Sequence, residues 1–132
     1  MSYVRFVRPD RVESTGYREG FFCAAYALRN RTDVSEATLD LVKSHLLWFS
    51  AYLTIPDKFT SSRRKGQGWR VTRGLSWFRP DATEMLQRSF DLIHLLREEG
   101  YQIDMLRSDR IGRIVYEDRH QVVAEPFSDT PT

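Results

Sequence analysis

The sequence predicts an α+β fold, with a mixed sheet of four to five strands and about three helices packed mainly on one face. Segments that alternate apolar and polar residues lie near both ends of the chain, and long segments with helical periodicity lie between them. With 132 residues, 41% of them hydrophobic, the chain is large enough to bury one core and too apolar for global disorder. We therefore predict a single domain over residues 1–127 and a frayed tail over 128–132.

Each element is predicted from hydrophobic periodicity and from the residues that begin or end helices and strands. In chain order the elements are a strand at 2–8, helices at 17–30 and 34–53, a strand at 74–78, a helix at 80–99, a strand at 101–106 and a hairpin at 112–126. Pro9 is expected to end the first strand, because proline has no N–H to donate to a neighbouring strand. Gly20, Ala24 and Ala27 give the first helix small residues at close-packing spacing, which suits a buried helix.

Capping residues and turns place the later elements. Asp33, followed three residues later by Glu36, resembles the capping box that begins a helix. Pro80 suits the first position of the third helix. The segment 75–106 is expected to form a βαβ crossover, followed by antiparallel strands that turn near Asp118.

The second helix divides into a polar and an apolar face at about 100° per residue. Its apolar side comprises Leu41, Val42, Trp48, Phe49 and Tyr52. We expect these side chains in the core, together with His45, which should then meet a polar partner. Leu47 and Leu95 fall on the polar stripes of their helices, which indicates a surface for a partner protein or for a second copy of the chain.

Residues 58–73, which we call the basic segment, concentrate positive charge. They hold six basic residues and no acidic one, whereas the remainder of the chain has 14 basic and 18 acidic residues, for an overall net charge of +2. The basic members are Lys58, Arg63, Arg64, Lys65, Arg70 and Arg73. Glycines and Trp69 accompany them, a composition typical of segments that approach phosphates and stack on bases.

We expect the basic segment to belong to a loop at about 57–73 that lacks regular structure over 60–72. It is predicted to bind nucleic acid or another polyanion, with Arg79 as a supporting contact. The alternative is a solvated loop without a ligand, since 17 of the 20 basic residues are arginine and such a bias can arise from genome composition. The leading hypothesis is thus a small non-enzymatic binding protein.

Two other functions stay open. One is a protein–protein interaction or regulatory module, in which Leu47 and Leu95 form the interface. The other is an enzyme that uses Glu117, Asp118 and His120 of the last hairpin for acid–base chemistry, although a turn with solvated charges accounts for the same residues. No cofactor or metal is predicted, because no two histidines have helical ligand spacing and the single cysteine has no partner.

The same sequence indicates a cytosolic protein with no membrane partner. The lone Cys23 excludes an intramolecular disulfide and favours a reducing compartment. Arginines interrupt the apolar residues near the N-terminus, unlike a signal peptide, and no stretch reaches the ~18 apolar residues of a membrane span.

Two stretches carry a resemblance to known proteins. "GLSWFRPDA" (74–82) and "GRIVYEDRHQVVAEPF" (112–127) resemble a family of small bacterial proteins without an assigned function. The resemblance extends through most of the chain, and the C-terminal stretch is its most specific part. It implies a bacterial cytosolic protein and carries over no activity, cofactor or site residue.

Overall fold

The structure, a computed structural model, describes residues 2–55, 61–64, 68–71 and 74–132. Its helices are α1 (Phe21–Arg29), α2 (Glu36–Tyr52) and α3 (Thr83–Glu98). Its strands are β1 (Tyr3–Arg11), β2 (Arg18–Gly20), β3 (Ser61–Arg64), β4 (Gly68–Val71), β5 (Leu75–Phe78), β6 (Asp104–Ser108), β7 (Arg113–Glu117) and β8 (Gln121–Glu125). None of the helices described here has the length and apolar character needed to cross a membrane.

Six strands form the main sheet, in the order β2-β1-β5-β8-β7 with β6 also paired to β1. The α+β class is confirmed. Every pair of hydrogen-bonded strands in this sheet is antiparallel. The sheet is therefore antiparallel, whereas we predicted a mixed one. Because β5 and β6 are both antiparallel to β1, they run in the same direction, and α3 connects them. The predicted crossover is present, with β1 between its two strands.

The strand β1 continues through Pro9, which we expected to end it. The register between β1 and β2 shifts between Val7 and Arg11, so Pro9 lies within a bulge. A proline is tolerated there because its missing N–H removes no regular ladder bond. Since β2 ends at Gly20, α1 begins later than the sequence predicted.

One edge of β1 changes partner along its length. Val7 pairs with both Asp104 of β6 and Gly20 of β2, which places those two strands on opposite edges of β1. Val4 pairs with Phe78 of β5, and β5 shares the edge of β2 because β6 occupies the other one. The sheet therefore splits between Val4 and Val7, where β1 passes from β5 to β2.

Two hydrophobic clusters cover the two faces of the sheet. The larger one joins the three helices to the face that carries Val4, Phe6 and Phe78. The smaller one contains Trp77, Ile111, Val122 and Ala124, with Tyr3 and Leu106 packed against it. Phe78 and Trp77 are neighbours in β5, so they point to opposite faces, as strand geometry requires.

The helix α2 differs from its prediction in its cap and its buried side. Ser35, not Asp33, is the N-cap, and its Oγ accepts a hydrogen bond from the Thr38 N–H at 3.1 Å. Asp33 instead accepts two hydrogen bonds from the Arg31 guanidinium, at 2.8 and 2.9 Å. The residues of α2 that are buried are Val42, Leu46 and Phe49.

Residues 128–132, predicted to be frayed, are packed against the domain. Thr130 is buried, and its hydroxyl donates to the Arg110 carbonyl and accepts from the Phe127 N–H, both at 3.1 Å. The main-chain oxygen of Thr132 accepts from the Arg18 N–H at 2.9 Å. The prediction was wrong because it considered only the small and mostly polar side chains of the tail. These bonds join it to distant parts of the chain.

Gly112, just before β7, lies very close to the main chain at the end of β8, and a substitution there tests this contact. Its φ is +123°, and an added Cβ would overlap the main-chain carbonyl of Glu125. Gly112→Ala is expected to lower the free energy of unfolding by about 3 kcal/mol or more, because main-chain atoms must shift. Urea denaturation measures the loss.

Gly100→Ala is the matched control for that substitution. Gly100 also has a positive φ, +94°, but a Cβ there would meet nothing within 4 Å. It should cost only the conformational penalty of about 1–2 kcal/mol. Equal losses in the two variants would contradict the close approach of Gly112 to β8.

Candidate functional site

The basic segment contains a β-hairpin. Strands β3 and β4 pair antiparallel, with Arg63 opposite Trp69 and Ser62 opposite Arg70; Arg64 also lies in β3. They form a two-stranded sheet of their own, separate from the main sheet. The expectation that 60–72 lacks regular structure is therefore wrong for these strands.

Part of the prediction lies beyond this hairpin. Lys58, Lys65 and Arg73 lie outside the described residues. The hairpin itself had a signal in the sequence, since the "KGQ" between the strands contains glycine, and short glycine-containing connections between β-compatible runs are typical of hairpins.

Arg79 is engaged by two carboxylates. Its guanidinium bonds to Asp81 at 3.2 Å and to Glu117 at 2.7 Å. The pair with Glu117 connects the end of β5 to the end of β7, and the two carboxylates together balance the charge of the arginine. The structure thus gives Arg79 a different role from the supporting contact to a polyanion that the sequence indicated.

Other arginines of the main domain are also paired with acids. The pairs are Arg8–Glu19, Arg31–Asp33, Arg110–Asp129 and Arg113–Glu125, with closest N–O distances of 3.9, 2.8, 3.1 and 2.9 Å. Exposed ion pairs of this kind contribute little stability, but they balance charge where they lie. By residue count, the excess of positive charge lies in the basic segment, since the remainder of the chain has 14 basic and 18 acidic residues.

The residues of the enzyme hypothesis form a structural turn. Asp118 Oδ1 accepts from the main-chain N–H groups of His120 and Gln121, at 2.8 and 3.0 Å. Its Oδ2 accepts from the Tyr116 hydroxyl at 2.8 Å and from the Gln121 amide at 3.3 Å. Desolvation alone would raise the pKa of Asp118, but these hydrogen bonds together hold it below the ordinary value.

Both carboxylates of the turn are engaged by other groups of the protein. Four hydrogen bonds satisfy the Asp118 carboxylate, and Glu117 is paired with Arg79. The hairpin with its turn near Asp118 is confirmed. Sequence reasoning missed that Gln121, which is buried, extends this network by accepting from the Ser76 hydroxyl at 2.8 Å.

The two predicted interface leucines differ in exposure. Leu47 is 71% exposed, whereas Leu95 is 7% exposed and belongs to the larger hydrophobic cluster. The predicted exposure of Leu95 is therefore wrong, because the buried side of α3 is wider than its periodicity indicated. The two leucines do not form one surface patch.

A different apolar surface lies on α2. Leu41 and Tyr52 are both more than half exposed, although we expected them in the core. With His45 and Trp48 they fall within about 60° of one another around the helix, and we call these four residues the α2 stripe. The buried side of α2 is centred about 100° away, and Leu47 lies about 120° from Leu41 in the other direction.

Aromatic contacts order the middle of the α2 stripe. The rings of Trp48 and Tyr52 have centroids 5.0 Å apart, and the Arg88 guanidinium lies 4.7 Å from the centroid of Trp48. His45 is half-buried, and its Nδ1 has no hydrogen-bond partner among the described residues. The predicted polar partner of His45 is therefore absent there. Desolvation lowers the pKa of His45, which favours the neutral ring.

Cys23 and the possible metal ligands complete the candidate groups. Cys23 is exposed, and partial desolvation followed by the charge of Glu19 raises the pKa of its thiol. A raised pKa makes it a poor nucleophile at neutral pH. Within the described residues, no group of three or more His, Cys, Asp or Glu side chains could hold a metal ion.

Comparison with known protein families, with curated proteins and with solved structures gave no match to this chain.

The pKa of His45 predicts a pH dependence of stability. Because the folded pKa lies below the ordinary 6.5, the unfolded chain binds a proton more readily than the folded chain. The free energy of unfolding should therefore fall as the pH drops through about 6.5, and level off only below the folded pKa. Urea denaturation at pH 5, 6, 7 and 8 measures this effect.

In His45→Leu that part of the pH dependence should disappear. His94→Gln is the control, because His94 is exposed and contacts Glu98 on the same helix at 3.0 Å. It should leave the contribution of His45 intact. An unchanged pH dependence in His45→Leu would show that the half-buried ring is not its source.

Proposed function

We propose that the chain is a small non-enzymatic binding protein that contacts nucleic acid through the basic segment. The observation that supports it is the distribution of charge. Six basic residues and no acidic one fall within residues 58–73 of the sequence, and the β3–β4 hairpin of this segment has its own sheet. Five arginines of the main domain are already paired with carboxylates. A basic segment of this kind attracts phosphates and releases their counterions.

The hairpin geometry suits this function. A two-stranded antiparallel ribbon is narrow enough to enter the major groove of a duplex, while arginines contact phosphates on either side. Trp69 would stack on unpaired bases if the ligand were single-stranded. Arg79 is left out of the proposed site because Asp81 and Glu117 engage it.

We also propose that the protein is bacterial and cytosolic, on the basis of the resemblance noted above and of the lone Cys23.

Salt dependence tests the proposed binding. If five basic side chains of the segment contact phosphates, the logarithm of the association constant should fall with the logarithm of the salt concentration with a slope of roughly −3.5 to −4.5. The smaller magnitude applies to single strands. Replacing Arg63, Arg64 and Arg70 together with glutamine should flatten the slope by roughly 2–3. Fluorescence anisotropy with labelled single-stranded and duplex oligonucleotides measures both.

A second triple variant controls for net charge. Arg8, Arg110 and Arg113 are each paired with a carboxylate, so replacing these three with glutamine removes the same charge from a different surface. This variant should keep the wild-type slope. The proposal fails if oligonucleotides do not bind at low salt, or if the two triple variants behave alike.

The α2 stripe favours a second candidate function. The chain would then be a protein interaction module, and in the simplest case its partner would be a second copy of the same chain. Exposed aromatic and aliphatic side chains on one helix face are typical of protein interfaces, and tryptophan and tyrosine are enriched at their energetic centres. Ile55, which follows α2, is also exposed and adds apolar surface near Tyr52.

Sedimentation velocity over a range of concentrations tests this second candidate. Leu41→Glu and Tyr52→Glu should each weaken self-association, because a buried unpaired charge is costly. Leu47→Glu is the matched control, since Leu47 is exposed on α2 but lies away from the α2 stripe. A wild type that stays monomeric at every concentration, or equal effects of all three substitutions, would contradict the homodimer.

A further inference from the structure

A cavity lies where the sheet splits. Its volume is about 210 Å³, and its walls come from both sides of the split and from the ends of two helices. Phe6 and Gly20 line it from the β1–β2 side, Phe78 lines it from β5, and Phe21 and Phe22 line it from α1. The lining is thus mainly aromatic and aliphatic, as in sites for small apolar molecules.

Arg5 is a buried cation in the wall of this cavity. It is only 7% exposed, and no Asp or Glu carboxylate of the described residues lies within 4.0 Å of its guanidinium. It donates instead to the main-chain oxygens of Arg18 and Thr132, at 2.7 and 3.3 Å. Desolvation, and then the charge of Arg18, lowers the pKa of Arg5 to about 10, which still leaves it charged at neutral pH.

A buried arginine with this environment has capacity for an anion. A guanidinium has five N–H donors, and the two main-chain bonds use two of them. Burial of a cation is unfavourable unless its donors are satisfied, and an anion that approached the remaining donors of Arg5 would be bound by charge-assisted hydrogen bonds.

The other polar groups of the cavity are bonded to one another. Ser76 donates to the Gln121 Oε1, and the Gln121 amide nitrogen donates to the Thr54 carbonyl and to Asp118. Gln121 is buried within this network. A neutral polar ligand would compete with bonds that are already made, whereas an anion would complement Arg5.

We propose that this cavity binds a small apolar monocarboxylate, with its carboxylate directed to Arg5. The volume sets the size of the apolar part, since a cavity of about 150 Å³ lined by aliphatic and aromatic side chains holds one benzene. The present cavity holds one such ring with a short carboxylate-bearing substituent. The lining of this cavity includes none of the four residues of the α2 stripe and no residue of the basic segment.

Phenylacetate is the probe, and phenylacetamide is its uncharged counterpart of nearly equal shape. Isothermal titration of the full chain should show phenylacetate binding at least tenfold more tightly than phenylacetamide. Phenethylammonium, which places a positive charge at the same end, should not bind. Chemical-shift changes in the methyl groups of Leu53, Ile55 and Leu75, which line the cavity, should locate the probe there.

Three variants separate the charge from the cavity. Arg5→Met should reduce phenylacetate affinity at least tenfold and leave phenylacetamide affinity unchanged. Arg8→Met is its control on the same strand, because Arg8 is paired with Glu19. Gly20→Leu should abolish binding of both probes by filling the space, since a Cβ at Gly20 meets only the Phe6 carbonyl oxygen, at 3.9 Å.

Several results would overturn the proposal. Equal affinity of wild type for phenylacetate and phenylacetamide would remove the role of Arg5, and no binding of either at millimolar concentration would remove the site. Retained binding in Gly20→Leu would place the probe elsewhere. If Arg5→Met lost both probes, Arg5 would act only by holding Arg18 and Thr132, and the carboxylate specificity would be refuted.

Discussion

The strand β1 organises the main sheet, because it is bonded to three of the other strands. It carries β6 along one edge, and it divides the other edge between β5 and β2. Val4, Phe6 and Val7 are all buried, so the strand is covered on both of its faces. The helices follow from this position: α1 continues directly from β2, and α3 must cross the sheet to connect β5 to β6.

Two polar networks contribute side chains to the cavity at the split beside β1. On one side, Arg5 reaches Arg18 and Thr132 and secures the C-terminal residues. On the other side, Gln121 connects Ser76 to the turn organised by Asp118. A regular sheet would have brought β1 and β5 together along their whole length and closed this space with main-chain hydrogen bonds. The irregularity of the pairing therefore creates a cavity with the character of a small-molecule site.

The sequence predicted elements that depend on local chemistry and missed those that depend on distant partners. Periodicity placed three helices and the β7–β8 hairpin, because apolar spacing and turn residues act within a few positions. Pro9 misled the prediction, since whether a proline ends a strand depends on a bulge formed with β2. The centre of the buried side of α2 was misplaced by about 70°, because several adjacent stripes of that helix are apolar and only packing selects among them.

The candidate sites also differ in whether the local sequence or only distant partners reveal them. The charge of the basic segment is visible in sequence because it is a count of residues, whereas the engagement of Arg79 depends on Glu117, which is 38 residues away. Arg5 could not be recognised at all, since its alternating neighbours are those of an ordinary strand with an exposed arginine. Its burial results from residues at the opposite end of the chain.

The position of β1 between β5 and β6 also has a consequence for how the chain reaches its fold. The strand β1 finds two of its three partners only after residues 75–78 and 104–108 have been made. Contacts so distant in sequence carry a large loop-closure cost, which slows folding relative to helical proteins of similar size. Until those residues emerge from the ribosome, the apolar side chains of β1 remain without their cover. Nascent chains of this protein should therefore be clients of chaperones that bind extended apolar segments, and release should follow synthesis of β6.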